Sequence, residues 1–412
     1  MKILRGTGAE LDDWLLMLDR TRAETDLVTR REAAAIVDAV RRDGDQAVSR
    51  LLRTLDDVVI SPDEILQPIE PARMENSPLL DAIRSAIDRI VRFHAPQRID
   101  GYRIEREDSV LEHIVRPLRR VGIYVPGGRA VYLSSLIMCA VPARLAGVTD
   151  LVVATTPSVA AREEFRHVCG LFGIESVYRS GGAAGIAALA LGTRSLARVD
   201  KIVGPGNGWV AAAKQLVSGE VGIDMAAGPS EIVVIADCAA DPALVAADLR
   251  AQAEHGADSF AICITDSARF AAALARALGS SGPLPAVWIV VTPTLAEAVD
   301  VANRIAPEHL SILTRDPARL AALAPDCGAV FLGSPSAVAL GDYVAGTNHV
   351  LPTGGTARFA SPLGVYDFYK RSNLVALSKR TAGSIASAGK ALAEFEGLPA
   401  HARSIELRER TS

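Results

Sequence analysis

From about residue 120 the chain alternates short, nearly pure apolar runs with longer Ala-rich stretches, and this alternation restricts the fold more than any other feature. The runs are Val121–Val125, Leu151–Ala154, Lys201–Val203, Glu231–Ala236, Ala261–Thr265, Val287–Val291, His309–Leu313 and Ala329–Leu332. Most end at or near Gly, Pro or Asp, and helical segments such as Pro157–Phe172 and Ala183–Ala190 lie between them. Strands apolar on both sides must be covered on both faces, which parallel sheets flanked by helices achieve. Eight strands are more than one compact doubly wound sheet of about 150 residues uses, so an α/β fold with two sheet units is predicted. The first hundred residues read as helices: Thr29–Arg42, then Gln46–Leu55 after the Gly44-Asp45 break, then Ile83–Phe93. Tyr366–Leu377 and Gly383–Glu394 also read as helices.

Composition removes several classes of function. The 412 residues carry 44 Lys+Arg against 48 Asp+Glu, a net charge of −4, which argues against binding nucleic acid by phosphate neutralisation. With 49% hydrophobic and 22% charged residues the chain is not disordered. Its most apolar run, Leu133–Val148, contains Pro142 and Arg144 and falls short of the roughly 18 uninterrupted residues of a membrane span. Met1–Arg5 leads into the acidic stretch Glu10–Asp13, so no secretory segment is expected and the location is read as cytoplasmic. Cys139, Cys169, Cys238, Cys263 and Cys327 stand singly, a reducing-compartment pattern without a disulfide framework or a thiolate zinc site.

Ligands of open α/β sheets bind beyond the carboxyl ends of the strands, so the turns there are the first candidates for function. Four are glycine-rich: Tyr124–Gly128, Ser180–Gly185, Gly204–Asn207 and Ala227–Ser230. Glycine lets backbone amides approach a phosphate, yet any α/β protein also uses such turns simply to reverse its chain. Among seven histidines, His255 follows a helix with strong boundary signals: Asp241 as N-cap, Pro242 at the first position and Gly256 at the end. Gln252 and His255 share one face there, offering either two metal donors or a cation at a helix C-terminus. Glu308 and His309 sit where Pro307 stops one helix and a strand begins, a constrained place for two proton-transfer groups or for two unrelated side chains. Asp342 and His349 occupy a polar loop after Ala329–Leu332, and His401 lies near the end of the chain. Gln, two His and Asp would make a closed zinc set without thiolate. His94, His113 and His167 read as structural.

Taken together, Val121–Gly128, Val203–Asn207, Ile223–Glu231, Gln252–Gly256, Ala306–Leu310 and Gly341–His349 resemble, in order, the segments of the histidinol dehydrogenase family. The resemblance implies two incomplete Rossmann-like parallel-sheet units with small helical N- and C-terminal pieces. The expected domains are an N-terminal piece 1–22, a discontinuous first unit 23–123 with 232–363, an inserted second unit 124–231, and a C-terminal dimerisation piece 364–412. It further implies a homodimer and one zinc per subunit on Gln252, His255, Asp342 and His401, the last from the partner. Glu308 and His309 match the catalytic pair. Ser230, His349 and Glu396 match substrate contacts, with Gln252, His255, His309, Asp342 and His401 also facing substrate, and Tyr124 and Asn207 match contacts to NAD. The implied reaction is oxidation of L-histidinol through its aldehyde to L-histidine with two NAD, the last step of histidine biosynthesis. Ala184 stands where the family usually has Gln, Trp209 where Tyr is frequent, and Pro362 where Gly is frequent.

Three other readings compete. A same-family zinc and NAD dehydrogenase could act on another small alcohol such as a sulfonated diol. A zinc hydrolase with Glu308 as base leaves the glycine turns unexplained. A cysteine-based aldehyde dehydrogenase would use Cys327.

Overall fold

The computed structural model describes residues 2–24, 27–70, 72–75, 77–127, 130–225, 228–256, 259–279 and 287–409, so Gly128 and Ala227 of the glycine-rich turns lie outside the described residues. The chain divides into two units, residues 1–97 with 118–368 and residues 98–117 with 369–412.

The larger unit holds two six-stranded sheets. The first has the order Lys2–Arg5, Val287–Val291, Phe260–Thr265, Glu231–Ala236, His309–Leu313 and Ala329–Leu332, parallel throughout. Its side chains alternate between two cores. Val233, Ile235, Ile262 and Ile312 pack with Trp14 and Leu18 of helix Ala9–Glu24 and with helix Leu295–Ile305. Ile232, Val234, Ala261 and Cys263 pack instead with helices Pro242–Ala253 and Ala268–Gly279. Burial on both faces is why these strands read as continuous apolar runs.

The second sheet has the order Leu66–Pro68, Ser176–Tyr178, Asp150–Ala154, Arg120–Tyr124, Lys201–Val203 and Gly222–Ile223, with only the edge strand Leu66–Pro68 antiparallel. Helices Leu27–Asp43, Asp45–Leu55, Gly182–Leu191 and Gly208–Val217 share one core with it. Helix Leu133–Ala146 packs on strand Arg120–Tyr124 and is buried along most of its length despite Pro142. Leaving aside the edge strands Lys2–Arg5 and Leu66–Pro68, the order of each sheet reverses once. The reversal falls beside Glu231–Ala236 and His309–Leu313 in the first, and beside Arg120–Tyr124 and Lys201–Val203 in the second.

The smaller unit is an antiparallel sheet, Tyr369–Ala376, Ser109–Pro117 and Tyr102–Arg106, followed by helices Lys379–Phe395 and Pro399–Glu409. Here the sequence reading is corrected: Tyr369–Ala376 is a strand, not part of a helix over 366–377. Its pairing partner lies some 260 positions earlier (Asn373 opposite His113), beyond any local window, and Lys370–Ala376 is exposed throughout, so no burial period marks it. Helix Lys379–Phe395 contains the expected Gly383–Glu394 segment. The first hundred residues are mainly helical, but Lys2–Arg5 and Leu66–Pro68 each add a strand to a sheet.

Asp45 fastens the helical N-terminal region to the second sheet. Its buried carboxylate accepts from Tyr178 Oη at 2.9 Å and from the amide and hydroxyl of Ser195, each at 2.9 Å. Removing it strands three donors, each costing about 1–3 kcal/mol if it stays dry. Asp45→Ala should therefore destabilise the protein by about 3 kcal/mol in urea unfolding. Asp43→Ala, which breaks only the exposed pair with Arg50, should change stability by under about 0.5 kcal/mol.

Candidate active site

Glu308 and His309 enter the first sheet at its reversal through a tightly specified backbone. Helix Leu295–Ile305 ends with Ala306 in the left-handed conformation, φ 49°, unusual for a residue with a Cβ. Pro307 follows, and the carbonyls of Pro307 and Glu308 accept from the amides of Gly328 and Ala329, both at 2.9 Å. A Cβ on Gly328 would lie 2.6 Å from the Glu308 carbonyl oxygen, so the approach requires glycine. The pair therefore stands at the amino end of strand His309–Leu313, not beyond a carboxyl end where the sheet rule directs the search.

Glu231, which begins the neighbouring strand, holds both side chains. Its amide donates to Glu308 Oε2 at 2.9 Å, and its carbonyl accepts from His309 Nδ1 at 3.1 Å. Ser230 Oγ donates to the same Glu308 oxygen at 2.6 Å. With Nδ1–H committed to a carbonyl, the neutral imidazole carries its lone pair on Nε2. Nε2 is buried without a hydrogen-bond partner among the described residues and lies 3.7 Å from Asp342 Oδ1, while Nδ1 lies 3.6 Å from Glu308 Oε2. Burial alone would lower the imidazolium pKa; Glu308, Asp342 and the Glu231 carbonyl outweigh it and raise the pKa to about 9.

Asp342 lies in the short helix Val338–Tyr343. Burial would raise its carboxyl, but His309, His349 and His255 together hold it below the usual carboxylate range. His349 gives its Nδ1–H to the Asp342 carbonyl at 2.7 Å, and its Nε2 lies 3.4 Å from Ser135 Oγ. Burial lowers the pKa of His349 and so favours the neutral ring. Ser135, in the first turn of helix Leu133–Ala146, thus brings the second sheet's lobe up to the acidic centre; it has no motif that the sequence could show. Gln252 is buried in the last turn of helix Pro242–Ala253, whose Asp241 caps Ala243 N at 2.8 Å as expected. Its side-chain Nε2 has no partner among the described residues. His255 is exposed two residues past that helix.

The carboxamide oxygen of Gln252, the Asp342 carboxylate and the His255 imidazole are donors of the types that a borderline divalent cation such as zinc accepts. Among the described residues, no three His, Cys, Asp or Glu side chains gather by themselves around one metal position. His401 and Glu396 belong to the smaller unit, on or beside its two helices, and both are exposed.

Three of the glycine-rich turns, those that follow Tyr124, Tyr178 and Val203, lie at the carboxyl end of the second sheet. Helices Leu133–Ala146, Gly182–Leu191 and Gly208–Val217 all start there, pointing their amide ends at this edge. Tyr124 is buried, with its hydroxyl accepting from Gly182 N at 3.0 Å, and burial raises its phenol pKa. Asn207 caps the last of these helices, accepting from Val210 N at 3.2 Å. A Cβ on Gly127 would lie 2.1 Å from Thr156 Oγ1, so this turn demands glycine. Ala184 lies buried in the first turn of helix Gly182–Leu191. Cys327 is a poor nucleophile: burial and then Asp326 push its thiol up to about 11.

A parallel sheet with a buried carboxylate–imidazole pair, joined to a second sheet bearing glycine turns at its reversal, is the layout of an α/β oxidoreductase. The chain belongs to the histidinol dehydrogenase family, whose model matches residues 18–409. It is 43% identical over 392 residues to the histidinol dehydrogenase of Pseudomonas syringae pv. tomato, covering 90% of this chain and 88% of that one. Against the Lactiplantibacillus plantarum histidinol dehydrogenase it is 40% identical over 424 residues, 99% of each chain. The crystal structure of histidinol dehydrogenase from Elizabethkingia anophelis superposes with a TM-score of 0.82 at 31% identity, covering 92% of both chains.

The charge state of His309 leaves a mark on stability. Its folded pKa, about 9, is above the ordinary 6.5, so its contribution is complete below about pH 6.5 and disappears as pH rises through 9. In chelator-treated protein, the melting-temperature advantage of wild type over His309→Gln should be largest near pH 6 and shrink steadily by pH 10.

Proposed function

We propose that this chain oxidises L-histidinol through L-histidinaldehyde to L-histidine, transferring four electrons to two NAD, as the last step of histidine biosynthesis in the cytoplasm. The observation that carries the proposal is the buried Glu308–His309 pair, whose Nε2 is unpartnered among the described residues and whose orientation is set by Glu231. Zinc would be held by Gln252, His255, Asp342 and His401 of the partner subunit, and supplies there a template that fixes the substrate's imidazole and amine. NAD would be held by Tyr124 and Asn207 and would supply the hydride acceptor for both oxidations.

His309 Nε2 takes the hydroxyl proton as the first hydride leaves the alcohol carbon, giving aldehyde and NADH. Glu308 then withdraws a proton from water as it adds to the aldehyde, and loss of a second hydride from the hydrate gives the carboxylate. For the first step the ring must be neutral. His309 would more readily be neutral if Asp342 were engaged by a cation, because the carboxylate that favours its imidazolium would then be shared. Ser230, His349 and Glu396 would complete the substrate's surroundings, with Glu396 reaching the active site of the partner subunit. The subdivision into pieces 1–22, 23–123 with 232–363, 124–231 and 364–412 and the homodimer belong to the same proposal. The partners are then a small molecule and a second copy of the chain, with no nucleic acid or membrane. Among the described residues, no helix is long and apolar enough to cross a membrane.

Purified protein with excess NAD and limiting L-histidinol should yield two NADH per histidinol by absorbance, lost on chelation and restored by zinc. A folded, zinc-loaded dimer that gives no NADH from histidinol would move the assignment to another small alcohol. Sharing of sites predicts that mixing His309→Ala and His401→Ala subunits restores activity well above either variant alone, since one site in each mixed dimer would be intact. No recovery would place His401 in its own subunit's chemistry or outside it.

A further inference from the structure

The second sheet contains an ion pair that neither the acid–base chemistry nor the metal set uses. Lys214 and Asp224 are almost wholly buried, with side-chain exposures of 2% and 0%, and Nζ lies 2.6 Å from Asp224 Oδ1. Both groups also grip the same residue. Lys214 Nζ donates to the Gly204 carbonyl at 2.5 Å, and Asp224 Oδ2 accepts from the Gly204 amide at 2.7 Å. Asp224 is itself fixed at the strand end, its amide donating to Ile202 O at 3.1 Å.

Gly204 opens the turn Gly204–Asn207 at the sheet's reversal. Its φ is +120°, and a Cβ there would lie 2.1 Å from the Tyr124 carbonyl oxygen, so the turn rests directly on the Tyr124 backbone. The turn's last residue, Asn207, caps the helix that carries Lys214. The pair therefore closes a loop: strand end, glycine turn, helix, lysine, and back to both polar groups of the first glycine. A buried ion pair rarely stabilises a fold more than apolar side chains of the same volume, so its particular contribution here is geometry.

We propose that Lys214 and Asp224 are positioning residues that hold the Gly204–Asn207 turn against Tyr124 in the conformation that receives NAD. This rests on the reading that NAD lies at the reversal of the second sheet. The pair acts on the cofactor through the turn and touches neither the acid–base pair nor the metal donors.

The test is NAD and histidinol affinity, by calorimetry and by steady-state KM, in zinc-loaded full-length protein and in Lys214→Met/Asp224→Asn. That double variant leaves no unpaired charge and keeps an acceptor for the Gly204 amide. The expected result is NAD binding weakened tenfold or more, with histidinol KM and zinc content within twofold of wild type. Hydrogen exchange over residues 204–210 should quicken in parallel. If the double variant does not fold, Asp224→Asn alone should show the same selective loss, threefold or more. A folded variant that binds NAD like wild type overturns the proposal while leaving the cofactor reading intact, as does an equal loss for both substrates. Wild-type protein that binds no NAD overturns the cofactor reading and this inference with it.

Discussion

The candidate active site depends on one peptide unit after another at Glu231. Its amide holds the Glu308 carboxylate and its carbonyl holds His309 Nδ1, so two strands meeting at the reversal of one sheet set the acid and the base together. Glu231 can do this because it opens strand Glu231–Ala236 while His309, paired with Ile232, opens the next. Adjacent side chains normally diverge; here the kink at Ala306-Pro307 and the amides of Gly328 and Ala329 turn Glu308 and His309 toward one centre.

The two sheets use opposite ends. In the second, three glycine-rich turns and three helix starts crowd the carboxyl edge, where backbone amides can face an anion. In the first, Asp237, just after Glu231–Ala236, ties the corresponding edge together, accepting from Ala239 N at 2.8 Å and from Arg315 N at 2.9 Å. The chemistry moves to the amino edge, where helix Val338–Tyr343 brings Asp342 and the first turn of helix Leu133–Ala146 brings Ser135 to His349. One lobe thus gathers helix amino ends at its sheet's edge, and the other a buried carboxylate beside an imidazole.

Electrostatics at that amino edge are mutual. His309 above all holds the Asp342 carboxyl below the usual range against its burial, and Glu308 and Asp342 in turn raise the imidazolium pKa of His309 against its own burial. A change of charge on either group is felt by the other across the 3.7 Å between His309 Nε2 and Asp342 Oδ1. The thiols take no part in this. Cys139, Cys169 and Cys263 are buried, and desolvation raises each of them.

The eight apolar runs were legible because strands buried on both faces must be apolar throughout, and the Asp241-Pro242 and Pro307 boundaries because capping and ring closure act locally. Glu308, His309, Asp342 and Gln252 could be singled out by residue type and spacing. Strand Tyr369–Ala376 could not, since its pairing lies hundreds of residues away and its side chains face solvent. Nor could the role of Glu231, which acts through its main chain, or of Ser135, which is an ordinary helix serine until His349 reaches it. Residue identity by itself determined which groups can accept a proton, donate to a metal or admit a phosphate. Only the tertiary structure decided which face each other and in what charge state, because those depend on register, burial and distance between segments far apart in the chain.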